Sequence, residues 1–295
     1  MNTLTERDLE VLRAVNRYRY LRTAQVKRLV FPENNDLQVT RRRLRTLLYK
    51  GCLGRVMPFI EPGQDSATVA YYLDKAGREF LTERGEEIVY SGAWAHVRPR
   101  FLEHVLDISE FRVSLELALK EHPMVEIRRF VADFELKSQR PKTGDGNVGH
   151  RNRYRYKLYD EVAHTGDGEK FVVYPDAMVI LRGKGEAAKY QRLLFIEIDR
   201  GTESPTVLQR KVVGYGLYRK QETFRKFGAF QTFRVLVQTC SEKRMMNLRR
   251  QLVGVDGEDL VWVTDVGKVN ESSLLDVPIW MDDKRTMKTL VRRNG

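Results

Sequence analysis

Two short apolar runs in this chain carry acids where a buried strand normally carries none. In FVVYPDAMVIL, residues 171–181, Asp176 follows Pro175 inside an otherwise apolar stretch. In RLLFIEID, residues 192–199, Glu197 and Asp199 stand among Phe195, Ile196 and Ile198. Burying a carboxylate is unfavourable unless a cation, a metal or hydrogen bonds receive it. A fold that uses both runs as core strands must therefore supply positive charge to these acids. Adjacent strands would assemble Asp176, Glu197 and Asp199 into a hard-oxygen cage suited to Mg²⁺ or Mn²⁺.

The neighbouring segments give these runs a setting. A helix is expected over about 100–120, a strand over VEIRRFVADFEL at 125–136, then the two acid-bearing runs. A helix from about Pro205 to Phe227, a strand over FRVLVQT at 233–239, an amphipathic helix in EKRMMNLRRQL and a strand over LVWVTD at 260–265 follow. Strands alternating with helices in this order predict an α/β domain with a mixed sheet, over residues 101–280. Residues 281–295 read as a basic tail.

Helix, three strands, helix, strand, with Pro175-Asp176 in the second strand and Glu197-Ile198-Asp199 in the third, resembles restriction-endonuclease-like proteins of the PD-(D/E)xK superfamily. The resemblance implies that Asp176 and Glu197 hold metal and act in catalysis. Asp199 stands where that pattern has a lysine, and a carboxylate cannot donate positive charge. Lys211, in the next helix, is the best candidate for the missing cation. Glu103 or Glu110, in the helix before the sheet, would be a further carboxylate. Two outcomes stay open: a metal-dependent endonuclease or nickase using Asp176, Glu197 and Asp199, or a nuclease-like domain that no longer cuts.

Charge directs attention to the N-terminus. The net charge of +12 over 295 residues favours polyanionic partners. Residues 1–55 hold 13 Lys/Arg against 5 Asp/Glu, a net of +8. Thr5 with Asp8 resembles a capping box before a first helix. A second helix is expected over Thr23–Val30, and a third from near Gln38 to Lys50, where Gly51 provides a stop. Strands over 55–60 and 68–73, joined by Glu61-Pro62-Gly63-Gln64-Asp65, and a helix from Lys75 complete a winged helix-turn-helix pattern over residues 1–84. Residues 85–100 read as a linker. The third helix would enter the major groove of double-stranded DNA. Gln38, Thr40, Arg41, Arg42, Arg43 and Arg45 are its expected contacts, some of the arginines on phosphates, and one or two near the helix start, with Gln38 and Thr40, on base edges. Winged helices also serve as protein-interaction modules, and a transcription repressor with a sensing second domain is the corresponding alternative. A basic, aromatic insertion between the first two strands, including Arg153 and Arg155, would grip phosphates and stack bases.

Cys52 and Cys240 lie far apart without metal-ligand neighbours and read as buried free thiols. The polar start MNTLTERDLE is no secretory signal, and no apolar run approaches the ~20 residues that span a bilayer. The expectation is a cytoplasmic protein without membrane contact. Taken together, VTRRRLRTLLYKG, YYLDKAGREFL, HVLDISEFRVSLEL, PDAMVIL, FIEIDRGTES and the helix with Lys211 and Tyr215 resemble the replication-relaxation family of bacterial plasmids and other mobile elements. That resemblance covers residues 4–240. It implies a role in replication, relaxation or transfer control, with DNA and replication or relaxase proteins as partners. Helix-turn-helix proteins commonly read paired half-sites, which makes a homodimer an expected assembly.

Overall fold

A computed structural model describes residues 4–57, 69–89, 98–120, 122–132, 135, 160–164, 166 and 168–291. The chain divides into two units, Met1–Val113 and Ser114–Gly295. In the first, helix α1 (Glu6–Tyr18) starts on a reciprocal cap: the Thr5 side chain accepts from the Asp8 amide, and the Asp8 carboxylate accepts from the Thr5 amide at 2.8 Å. Strand β1 (Leu21–Arg22), helices α2 (Thr23–Val30) and α3 (Gln38–Tyr49), strands β2 (Leu53–Val56) and β3 (Ala70–Leu73), and helix α4 (Lys75–Thr82) follow. The three strands pair antiparallel in the order β1-β3-β2. Val11, Leu12, Val15, Val26, Leu44 and Leu47 fill the core between helices and sheet. The helices match the periodicity of the sequence. Strand β1, at two residues, is too short to leave a periodic signal.

Gly51 turns the chain out of α3 with φ +66, a conformation open to glycine without a Cβ penalty. Gly77 brings α4 onto the carbonyl of Cys52, where an added Cβ would lie 2.2 Å from the oxygen. The expected turn over 61–65 lies outside the described residues. Helix α5 (Pro99–Lys120) runs past the expected domain boundary, and the first unit ends within it, at Val113. The reason is that α5 belongs to the first unit's core at Leu102, Val105 and Leu106. Glu110 accepts from Gln25 at 2.9 Å and pairs with Arg28, which engages the carboxylate considered above as a further acid of the nuclease-like site.

Two residues expected on DNA are turned inward instead. Thr40 is fully buried with Leu44 and Leu47 on the packed face of α3. Arg43 donates from Nε to Asp8 Oδ1 at 2.9 Å and from a terminal nitrogen to Oδ2, tying α3 to the start of α1. Helical spacing decides both: positions 40, 43, 44 and 47 share the side that faces α1.

The second unit is built on a mixed seven-stranded sheet. Its elements are β4 (Val125–Ala132), a separate hairpin of β5 (Asp160–Ala163) and β6 (Lys170–Val173), then β7 (Ala177–Gly183), β8 (Gln191–Asp199), helix α6 (Pro205–Lys220), β9 (Phe233–Thr239), helix α7 (Glu242–Gln251), β10 (Val261–Asp265), β11 (Trp280–Met281) and β12 (Met287–Lys288). The order across the sheet is β12-β11-β10-β9-β8-β7-β4. β8, β9 and β10 run parallel, and the remaining neighbours are antiparallel. Phe195, Val235, Val237 and Val263 pack on one face against Val212 and Tyr215 of α6 and Met245 and Leu248 of α7.

This is the expected α/β architecture with three local differences. The run at 171–181 is broken at Tyr174–Asp176, so β6 pairs in the hairpin and β7 enters the main sheet. Pro175 has no amide to donate, and the ladder restarts when Asp176 N donates to Ile196 O at 3.0 Å. The helix expected to reach Phe227 stops at Lys220, with Glu222 left-handed at φ 56. The segment read as a basic tail continues the sheet instead, with Met281 in β11, β12 beside it, and Leu290 and Val291 buried. Cys52 is buried, but Cys240 is exposed at the end of β9. Among the described residues no helix is long and apolar enough to cross a membrane.

The Asp8–Arg43 pair yields a stability test. Burial raises the Asp8 pKa, but Arg43 and Thr5 outweigh it and leave the group below its ordinary 3.8. The pair therefore stabilises the fold above pH 3.8 and loses that contribution as pH falls through the lower folded value. Arg43→Ala should lose about 2 kcal/mol at neutral pH by urea unfolding, within the range for hydrogen bonds to a charged group. The gap to wild type should narrow in acid.

Candidate functional site

Strand β8 carries Glu197 and Asp199 two residues apart, which places both on one face of the sheet. Both are buried, at 7% and 5% exposure. Helix α6 lies over that face and presents Lys211 and Tyr215, four residues apart and so on one side of the helix. Tyr215 donates its hydroxyl to Glu197 Oε1 at 2.6 Å, and Lys211 Nζ stands 3.2 Å from Oε2. Lys211 also donates to Glu203 Oε1 at 2.8 Å. Its ammonium therefore lies between two carboxylates.

Electrostatics follow from this burial. Desolvation pushes Glu197 up from 4.5 to about 7; Lys211 pulls it down, the charge of Asp176 adds to the rise, and the Tyr215 hydrogen bond favours the ionised form. Burial alone would lower Lys211, but Glu197, Asp176 and Glu203 outweigh it and raise its pKa. Tyr215 is raised well above its usual value by burial and by Glu197, which keeps it a protonated donor.

Asp199 has a different office from the one expected. Arg244, on α7, donates to it twice, from Nε at 2.7 Å and from Nη2 at 3.3 Å, and also reaches the carbonyl of Glu203 at 2.8 Å. The amide of Gly201, at φ +77, donates to Asp199 Oδ1 at 2.9 Å. Asp199 thus folds the loop between β8 and α6, and that loop delivers Glu203 to Lys211. Asp176, at the start of β7, accepts from the Ile198 amide at 2.7 Å. The structure brings together Asp176, Glu197 and Lys211, and Asp199, lining the same cavity, is engaged by Arg244.

The three-carboxylate cage does not fit this arrangement. Among the described residues no group of three or more His, Cys, Asp or Glu is set to hold a metal. Asp176 and Glu197 remain as a two-carboxylate set beside an ammonium. Glu203 and Arg244 were not singled out by the sequence. Glu203 sits in the polar loop RGTES, where acids are ordinary, and Arg244 is one of several basic residues on an amphipathic helix.

The first unit offers a second site. On α3, Gln38, Arg41, Arg42, Arg45 and Tyr49 are exposed. At about 100° per residue they fall within roughly a third of the helix circumference, opposite Thr40, Leu44 and Leu47. The side chains of Arg41, Arg42 and Arg45 pair with no carboxylate among the described residues. Tyr49 is 94% exposed. Arg153 and Arg155 lie outside the described residues.

The sequence model of the replication-relaxation family matches residues 12–232. The chain belongs to the replication-relaxation family. No curated protein and no solved structure matches it. The family ties this replication-relaxation protein to replication and relaxation of plasmids or other mobile elements, and to DNA or replication-related partners. The matched span takes in α3, Asp176, Glu197, Lys211 and Tyr215, and stops before Arg244.

A carboxyl whose pKa is higher in the folded state holds its proton longer there, so stability falls as pH rises from 4.5 towards 7. Wild type should lose unfolding free energy across that window relative to Glu197→Gln, which lacks the titrating group. Denaturant midpoints at a series of pH values measure the difference. Parallel curves would contradict the raised pKa of Glu197.

Proposed function

We propose that this replication-relaxation protein binds double-stranded DNA through α3, and that its second unit is a nuclease-like domain serving DNA engagement at a mobile element. The observation that carries the reading is the row of arginines, Arg41, Arg42 and Arg45, unpaired among the described residues, on one exposed helix face free of acids. The order of three helices and a β-hairpin around α3 supports a winged-helix reading, in which such a helix enters the major groove. Gln38, at its exposed start, is the residue suited to a base edge, while the arginines suit phosphates. Arg43 supports the face from behind through Asp8.

Each neutralised phosphate contributes roughly 0.9 to the slope of log affinity against log salt, so Arg41→Ala with Arg45→Ala should flatten that slope by about 2 on a duplex probe. An unchanged slope would remove α3 from the interface.

A second reading is favoured by one contact, Lys211 Nζ at 3.2 Å from Glu197 beside Asp176. An acid on each of two paired strands with a lysine from the next helix is the donor set of a PD-(D/E)xK site whose lysine has moved off the strand. In that reading Asp176 and Glu197 would hold Mg²⁺ or Mn²⁺, which supplies an activated water and charge neutralisation at the phosphate when bound. Lys211 would orient the attacking oxygen and Tyr215 would fix Glu197. Nicking of supercoiled DNA with either metal, lost in Asp176→Asn and in Lys211→Met, is the expected result. No nicking by wild type on supercoiled, linear or single-stranded DNA would leave a binding protein.

A further inference from the structure

Tyr49 is the most exposed large apolar side chain among the described residues, at 94%, although it ends a helix whose Leu44 and Leu47 are buried. Its hydroxyl makes no hydrogen bond and its ring no ring contact with another side chain among the described residues. It stands one turn beyond Arg45 and about 16 Å along the axis from Gln38, on the same arc as Arg41 and Arg42. A phenol left wholly in water gains nothing for the fold, whereas its hydroxyl is a neutral hydrogen-bond donor of the kind that meets phosphate oxygens in DNA complexes. A helix whose start enters the major groove carries its end towards the sugar-phosphate wall.

We infer that Tyr49 is a register-setting contact of the DNA interface, donating its hydroxyl to a backbone phosphate at the C-terminal end of α3. The inference rests on the DNA-binding reading above. It divides the stripe into parts with different physics. Gln38 lies at the base-reading end. Arg41, Arg42 and Arg45 supply charge. Tyr49 fixes how far the helix slides into the groove, through a directional bond that releases no counterion. Because a neutral donor displaces no condensed cation, its removal weakens binding without altering the salt slope.

The test compares wild type, Tyr49→Phe, Tyr49→Ala and Arg45→Ala on a mixed-sequence duplex at several salt concentrations, with thermal melts to check folding. Tyr49→Phe should bind roughly tenfold more weakly, the low end for a hydrogen bond to a charged group, with the wild-type slope. Arg45→Ala should lower the slope by about 0.9. All three variants should melt with wild type, since both positions are exposed. If Tyr49→Phe binds like wild type while Arg45→Ala flattens the slope, the phosphate contact is wrong and α3 still binds DNA. Loss only in Tyr49→Ala would replace the hydrogen bond with ring packing and also overturns the inference. If wild type shows no salt-dependent binding, the DNA-binding reading itself falls.

Discussion

The burial of Glu197 against one ammonium and one phenol sets the terms for the second unit. β8 lies inside the sheet, with β7 on one side and β9 on the other. An acid facing the core from such a strand leaves few solutions, and this chain uses a lysine and a tyrosine one turn apart on α6. That choice fixes the rotation of α6 over the sheet, because Lys211 and Tyr215 must both face β8. Two residues along the strand, Asp199 makes the same demand of α7, and Arg244 answers it. The helices covering the apolar face are thus oriented by acids as well as by Val212, Met245 and Leu248.

Much of this was legible in the sequence, and the failures have identifiable causes. The apolar runs of β8, β9 and β10 and the anomaly of the acids inside them needed no structure. Lys211 stood out as a candidate cation because the sheet's own third strand lacked a lysine, and it pairs with Glu197. The partner of Asp199 was not, because Arg244 lies 45 residues away and looks like any basic residue of an amphipathic helix. Arg43 posed the same difficulty in the first unit: four arginines in five positions are alike until Asp8, 35 residues earlier, claims one of them. The break at Pro175 was signalled by the missing amide, but continuous apolar character on both sides masked it. The last strands were hidden by the charges between Trp280 and Leu290, which obscured the buried apolar residues at each end.

Both units pair charges within the fold, and α3 differs from the rest of the first unit. In the second, Glu197, Asp199, Asp160 and Asp259 are each matched to a cation in the fold. In the first, α3 ties Arg43 to Asp8 and leaves Arg41, Arg42 and Arg45 without a carboxylate partner among the described residues. Charge fully paired in a buried site points to positioning. An isolated carboxylate pair with its own lysine is suited to catalysis only if the ammonium can be shared with an incoming phosphate.

The central structural claim is that Glu197 and Lys211 act as one unit. A double-mutant cycle on unfolding free energy, with Glu197→Gln, Lys211→Met and the combined variant, measures their coupling directly. The account predicts a coupling of at least about 1 kcal/mol, within the range for contacting residues. Additive single effects, with no coupling beyond experimental error, would contradict it.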